Sequence, residues 1–128
     1  MATVSDTSGE SVVCENIGPR ERAKRMRFGV AAGVVAAGLG VVLVATNAPR
    51  ITRLTVFVPL VIAGLGVFQA RERTCVANVA RGVRNMDDGD KPVTDDGDVR
   101  QLALQGRRVY VQAFGSAAAL TALLLILP

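Results

Sequence analysis

The chain has 128 residues, half of them hydrophobic, with no Trp and no His, a balance that puts a membrane class ahead of a soluble one. Aromatic residues make up only 4% of it, and the apolar residues are mostly Ala, Val and Leu, poor filling for a large water-soluble core but suited to helices packing closely in lipid. The formal net charge of +4 does not point to nucleic acid, because the basic residues sit beside apolar runs and not among stacking aromatics.

Residues 1–27 contain no continuous apolar stretch, and the first apolar run is too long for a signal-peptide core, so an uncleaved anchor is expected after a partly disordered N-terminal segment. Residues 28–46 form that run: 19 residues without a charge, about 28 Å at helical rise, enough to cross a bilayer. Residues 54–70 are a second uncharged run, with Pro59 in its first third. The loop 47–53 between them opens with Asn-Ala-Pro and is so short that the two helices must be antiparallel neighbours.

The segment 71–108 is long enough for structure of its own. Val76, Val79, Ala80 and Val83 fall at i, i+3, i+4 and i+7 with Arg73, Arg81 and Arg84 elsewhere, the pattern of an interfacial amphipathic helix. Asp-Asp-Gly-Asp then occurs twice, at 87–90 and 95–98, and reads as an exposed acidic loop; its spacing does not match the twelve-residue calcium loop. Residues 99–108 have helical character and lead into a third apolar run, 109–127, after which no further domain is expected. The fold class expected is therefore an all-α membrane protein of three transmembrane helices, the first two a hairpin, with a cytoplasmic amphipathic helix and acidic loop before the third.

Orientation follows from Lys and Arg. Five precede the first span, two lie between the first and second, and eight lie between the second and third, which places the N-terminus in the cytoplasm and the C-terminus outside. The expected location is the inner (plasma) membrane.

Gly29 and Gly33 form a small-xxx-small pair, and Gly40, Gly64, Gly66 and Gly115 add positions where helix backbones can approach. No Asp, Glu, Lys or Arg lies within the spans, which disfavours a stand-alone transporter. Gln69 and Gln112, both near the cytoplasmic ends of their helices, are candidates to pair. Cys14 and Cys75 both fall on the cytoplasmic side, where thiols stay reduced. The Arg residues around Cys75 are of the kind that lower a thiol pKa, while two Cys without His do not close a zinc site in one chain.

Asn16-Ile17-Gly18, Glu21-Arg22, Arg25 and Gly29 give the spacing N-x-G-x-x-E-R-x-x-R-x-x-x-G, and Thr74-Cys75 follows the second span. This resembles the YgaP-like transmembrane domain, a bacterial inner-membrane helical hairpin found alone or joined to a rhodanese sulfurtransferase domain. The resemblance covers about residues 14–75; the acidic segment and third helix are additional. Independently of it, Glu21 and Arg25 are an i, i+4 pair, and Arg22 and Arg25 lie at headgroup level.

No nucleophile with a base, phosphate loop or metal cluster is visible. The expectation is a non-enzymatic membrane protein without cofactor or bound metal, acting through helix packing and contact with a membrane partner or a second copy. The rivals are a thiol-based redox, sulfur or metal accessory using Cys14 and Cys75, and an accessory subunit of a larger complex or transporter.

Overall fold

The computed structural model describes residues 14–128; residues 1–13, part of the N-terminal segment expected to be partly disordered, lie outside the described residues. Helix α1 (Pro19–Ala45) starts from Gly18, with Pro19 in its first turn, where a missing N–H costs nothing. It closes in a Schellman turn on Asn47, which takes a left-handed φ of 55°. The Ala48 N–H donates to the Leu43 carbonyl at 2.9 Å and the Asn47 N–H to that of Val44 at 3.1 Å.

Pro49 caps the short helix α2 (Arg50–Arg53), which passes through a 3-10 turn (Leu54–Val56) into α3 (Phe57–Glu72). Pro59 lies in the first turn of α3, where the lost donor is least costly. A second Schellman turn ends α3 on Arg73 (φ 55°), with the Thr74 N–H donating to Gln69 at 3.0 Å and the Arg73 N–H to Ala70 at 3.3 Å. After α4 (Val76–Arg81) come strands β1 (Val83–Asn85) and β2 (Asp90–Pro92), paired antiparallel with Val83 opposite Pro92. Helix α5 (Asp96–Ile126) is capped by Asp95, whose carboxylate accepts from the Asp98 N–H at 2.9 Å.

Three stretches, Pro19–Ala45, Arg50–Glu72 and Asp96–Ile126, are long and apolar enough to cross a membrane. Helix α3 packs against both α1 and α5. Its small residues set the separations: a Cβ on Gly66 would meet the Gly29 Cα at 2.7 Å, and one on Gly64 the Ala113 Cα at 2.9 Å. Outward-facing residues such as Val34, Val35 and Val111, about two-thirds exposed, give the bundle an apolar exterior that suits lipid and not water.

The segment between α3 and the third span departs from expectation. The amphipathic helix is only α4: Gly82, in a left-handed conformation (φ 68°), stops it, and Val83, the fourth residue of the pattern, is in β1. Val79 of α4 packs on Gly106 of α5, 3.6 Å from the place of a Cβ there, so Val79 is turned to protein, while Ala80 of the same pattern is exposed. The acidic repeat is not one loop. Its first copy forms the hairpin turn, with Asp87 and Gly89 at φ 71° and 98°, and its second caps and opens α5, where carboxylates favour the helix dipole. The hairpin also makes the fold mostly helical and not purely so.

Candidate functional site

The end of the bundle where α1 begins is tied together by polar side chains. Asn16, fully buried, donates from Nδ2 to the Cys75 carbonyl at 3.1 Å and accepts the Cys75 N–H on Oδ1 at 2.6 Å. Its own backbone is engaged on both sides: its N–H donates to the Arg73 carbonyl at 3.2 Å, and its carbonyl accepts from Asn85 N–H at 2.9 Å and Asn78 Nδ2 at 3.0 Å. Residues 16–18 thus run along β1 as an added edge, with a parallel bridge between Ile17 and Asn85. Gly18 has no room for a side chain, since a Cβ there would strike the Asp87 carboxylate and lie 2.7 Å from the Met86 carbonyl carbon.

Gln105 of α5 completes this junction and is also fully buried. Its Oε1 accepts the Cys14 N–H at 2.9 Å, and its Nε2 donates to the Cys14 carbonyl and the Thr74 hydroxyl, each at 2.7 Å. One side chain therefore links the N-terminal segment, the end of α3 and α5. A buried amide fully satisfied in this way fixes geometry, because any partner left unpaired carries its desolvation cost.

Lower on α1, Arg22 donates from Nε to the Ala70 carbonyl at 3.3 Å and Arg25 from Nη1 to Gln69 Oε1 at 2.9 Å. Glu21 sits 3.3 Å from Lys24 and 3.9 Å from Arg25. Gln69 Oε1 also accepts the Val76 N–H at 3.0 Å, so Gln69 serves Arg25 and α4, not Gln112. The crossing of Gly64 on Ala113 puts Gln112 about a turn away from Gln69 along the bundle, and Gln112 Oε1 is buried without a partner among the described residues.

Both cysteines are free thiols at the junction. Cys75 is 4% exposed. Cys14 is half-buried, its Sγ 3.6 Å from Asp98 Oδ1; burial first, and then the Asp98 carboxylate, push its thiol above the usual range. Among the described residues no group of three or more His, Cys, Asp or Glu is placed to hold a metal ion. Two hairpin carboxylates are taken up in ion pairs: Lys91 holds Asp88 below its ordinary value, and Arg81, with Asn85, does the same for Asp90; Asp87 accepts the Arg20 N–H instead.

At the opposite end, Arg53 is 4% exposed. Its Nη1 donates to the carbonyls of Leu124 at 3.0 Å and Leu127 at 2.8 Å, and its Nε to that of Ala48 at 3.2 Å; Arg50 Nε donates to Leu125 at 2.7 Å. These two cations close the orphan carbonyls at the end of α5 and meet the negative end of its dipole. Sequence reasoning read them only as loop charges, because nothing local says that a residue some 70 positions away will need them.

The packing glycines divide. Gly29, Gly64 and Gly66 are spent at helix crossings. Among the described residues Gly33 and Gly40 have only ordinary contacts, 3.8 Å to Ala63 and 3.5 Å to Leu124, and Gly115 meets nothing within 4 Å. Gly33 and Gly40 instead line, with Ala36 and Ala37, one wall of an apolar groove of about 910 Å³ whose floor is α3 and whose far wall is Ala117, Leu120 and Leu124 of α5. Comparison with known proteins returned no matching family model, curated protein or solved structure.

Proposed function

We propose that this is a non-enzymatic, multi-pass protein of the inner (plasma) membrane, N-terminus cytoplasmic and C-terminus outside, that works by seating the helix of a membrane partner in the groove between α1 and α5. The groove is the observation that carries the reading. It runs from Gly29 to Ala45 along α1, about 24 Å at helical rise, whereas a lipid chain from one leaflet reaches only about half of the ~30 Å hydrocarbon core. Gly33 and Ala37 lie on it at i and i+4, a small-xxx-small pair left accessible and suited to close helix approach, whereas Ala36 and Gly40 on the same wall are buried within the chain.

The occupant we assign is α1 of a second copy. Two α1 helices crossing on this ridge about a two-fold axis normal to the membrane meet through the same patch, keep the same orientation, and fill both grooves with one contact. The burial of Cys75 and the raised pKa of Cys14 weigh against the thiol rival. The residues of the YgaP-like resemblance brace the start of α1 against the end of α3, which supports reading that resemblance as a way of stiffening a membrane hairpin.

A chain with Cys14 and Cys75 replaced by Ser and a single Cys at Ala37 should form a disulfide dimer in native membranes, and one with the Cys at outward-facing Val35 should not. Ala37→Leu, with the same chain carrying its Cys at Val41 on the groove, should abolish the crosslink. No disulfide dimer from the Cys at Ala37, nor from a Cys at Val41 with Ala37 left in place, would overturn the reading. For orientation, a Cys at Ala48 should react with an impermeant reagent in intact cells, and Cys14 only after lysis.

A further inference from the structure

We propose that a second cleft, between the first turns of α1 and the last turns of α3, binds an anionic phospholipid, with the phosphate against Lys24 and Arg25 and an acyl chain along Phe28, Ile62 and Leu65. This cleft has a volume of about 340 Å³ and shares no lining residue with the groove. The inference rests on the helices being membrane spans, not on the groove or its partner.

The cleft is chemically split along its length. Toward the basic end lie Lys24, Arg25 and Glu21, two cations against one carboxylate, and toward the middle of the bundle lie Phe28, Ile62 and Leu65. The boundary falls where α1 passes from charged residues to its uncharged run, the level of the headgroups. Phe28 is 64% exposed and Ile62 39%, so the apolar wall is open to lipid.

The cationic part has unspent capacity. Glu21 approaches Arg25 only to 3.9 Å and Lys24 to 3.3 Å, and the Lys24 side chain is 66% exposed. Arg25 Nη1 is committed to Gln69, but its Nε is buried with no acceptor among the described residues. The Arg25 side chain is 28% exposed, and a phosphate entering the cleft meets its guanidinium, whose fork suits phosphate, beside Lys24. Excess positive charge at one end and an exposed apolar wall at the other complement an amphiphile with an anionic head; a neutral lipid leaves the charge unanswered, and a soluble anion leaves the wall bare.

The test is native mass spectrometry of the full chain released from nanodiscs containing phosphatidylglycerol and phosphatidylcholine in equal parts. Retained lipid should be mainly phosphatidylglycerol. Lys24→Gln, which removes a side chain paired with Glu21, should reduce that preference about fivefold, since one cation near an anionic surface is worth ~1 kcal/mol. Phe28→Gln should also reduce retention while leaving both cations in place. Arg100→Gln with Arg107→Gln removes charge from α5, outside the cleft, and should leave the preference unchanged. An equal loss in the Arg100 and Arg107 pair would mean diffuse attraction and overturn the site. Full competition by inorganic phosphate, or an unaltered preference in Lys24→Gln, would overturn it too. Because the Ala37→Leu chain retains this cleft, it should keep the lipid whether or not it dimerises.

Discussion

A methyl group built on Gly66 would lie 2.7 Å from the Cα of Gly29, so α1 and α3 meet backbone to backbone where they cross. In lipid this closeness takes the place of hydrophobic burial in holding two helices together. Gly66→Ala should push the helices apart, at a cost of about 1–3 kcal/mol typical of overpacking, and lower the melting temperature in mild detergent. Gly38→Ala and Gly115→Ala, where nothing lies within 4 Å, should leave it unchanged or raise it slightly, because Ala favours a helix over Gly. Equal melting of all three variants would show that the crossing is not tight.

Arg53 offers a second test, because it serves carbonyls from two parts of the chain. Arg53→Ala strips the acceptors at Ala48, Leu124 and Leu127 of their donor; hydrogen bonds to a charged group are worth about 1.5–3 kcal/mol. Faster amide exchange confined to the last turn of α5 is the expected readout. Arg53→Lys should restore little of the protection, since an ammonium lacks the planar fork that reaches several carbonyls at once. Full protection in the Lys variant would show that charge alone suffices.

The junction at the other end predicts a link between Asn16 and the accessibility of Cys75. Asn16 both donates to and accepts from the Cys75 backbone, which Asp cannot do when ionised. Asn16→Asp should therefore release the N-terminal segment, so that Cys75 is alkylated in the folded protein and trypsin cuts more readily at Arg20. Asn16→Ala should do the same, without a buried charge. If Cys75 stayed protected in both, Asn16 would not be what closes that site.

The three long apolar helices were legible in the sequence because an uncharged run long enough to cross a bilayer satisfies its backbone groups within itself only as a helix. The windows 28–46, 54–70 and 109–127 all fall within or overlap the observed helices, and the excess of helix lies outside the apolar runs, where α1 starts at Pro19 and α5 at Asp96. Most of the α5 extension was legible, since residues 99–108 read as helical and lie in α5; the starts at Pro19 and Asp96 were harder to see because capping, not hydropathy, sets them: Gly18-Pro19 and the Asp95 cap are each one or two residues long. The pattern of Val76, Val79, Ala80 and Val83 misled because periodicity says which residues share a face, not that Gly82 will end the helix first. Gln105 and Arg53 carried no signal, since the partners that bury each of them are mostly distant in sequence. The ridge of small residues was visible, but which of its members were already spent at a crossing required the packing of α3.

The last prediction concerns the half-buried thiol. Burial and the Asp98 carboxylate both favour the protonated form of Cys14, while Arg84, paired with Asp98 at 3.2 Å, acts in the other direction. With the thiol pKa raised on folding, its contribution to stability is full below the ordinary thiol range and is lost as pH rises through the raised value. Because the thiolate is the nucleophile, Cys14 should be alkylated more slowly than a model thiol at pH 8, with its pH–rate midpoint displaced to higher pH. Asp98→Asn should bring the midpoint back toward the ordinary value, and Arg84→Gln should move it further up. Alkylation followed peptide by peptide separates Cys14 from Cys75 without a second substitution. A midpoint equal to that of the model thiol, unmoved by either variant, would remove Asp98 and burial as controls on this sulfur, whereas opposite shifts in the two variants would fix Cys14 as a thiol held protonated by the start of α5.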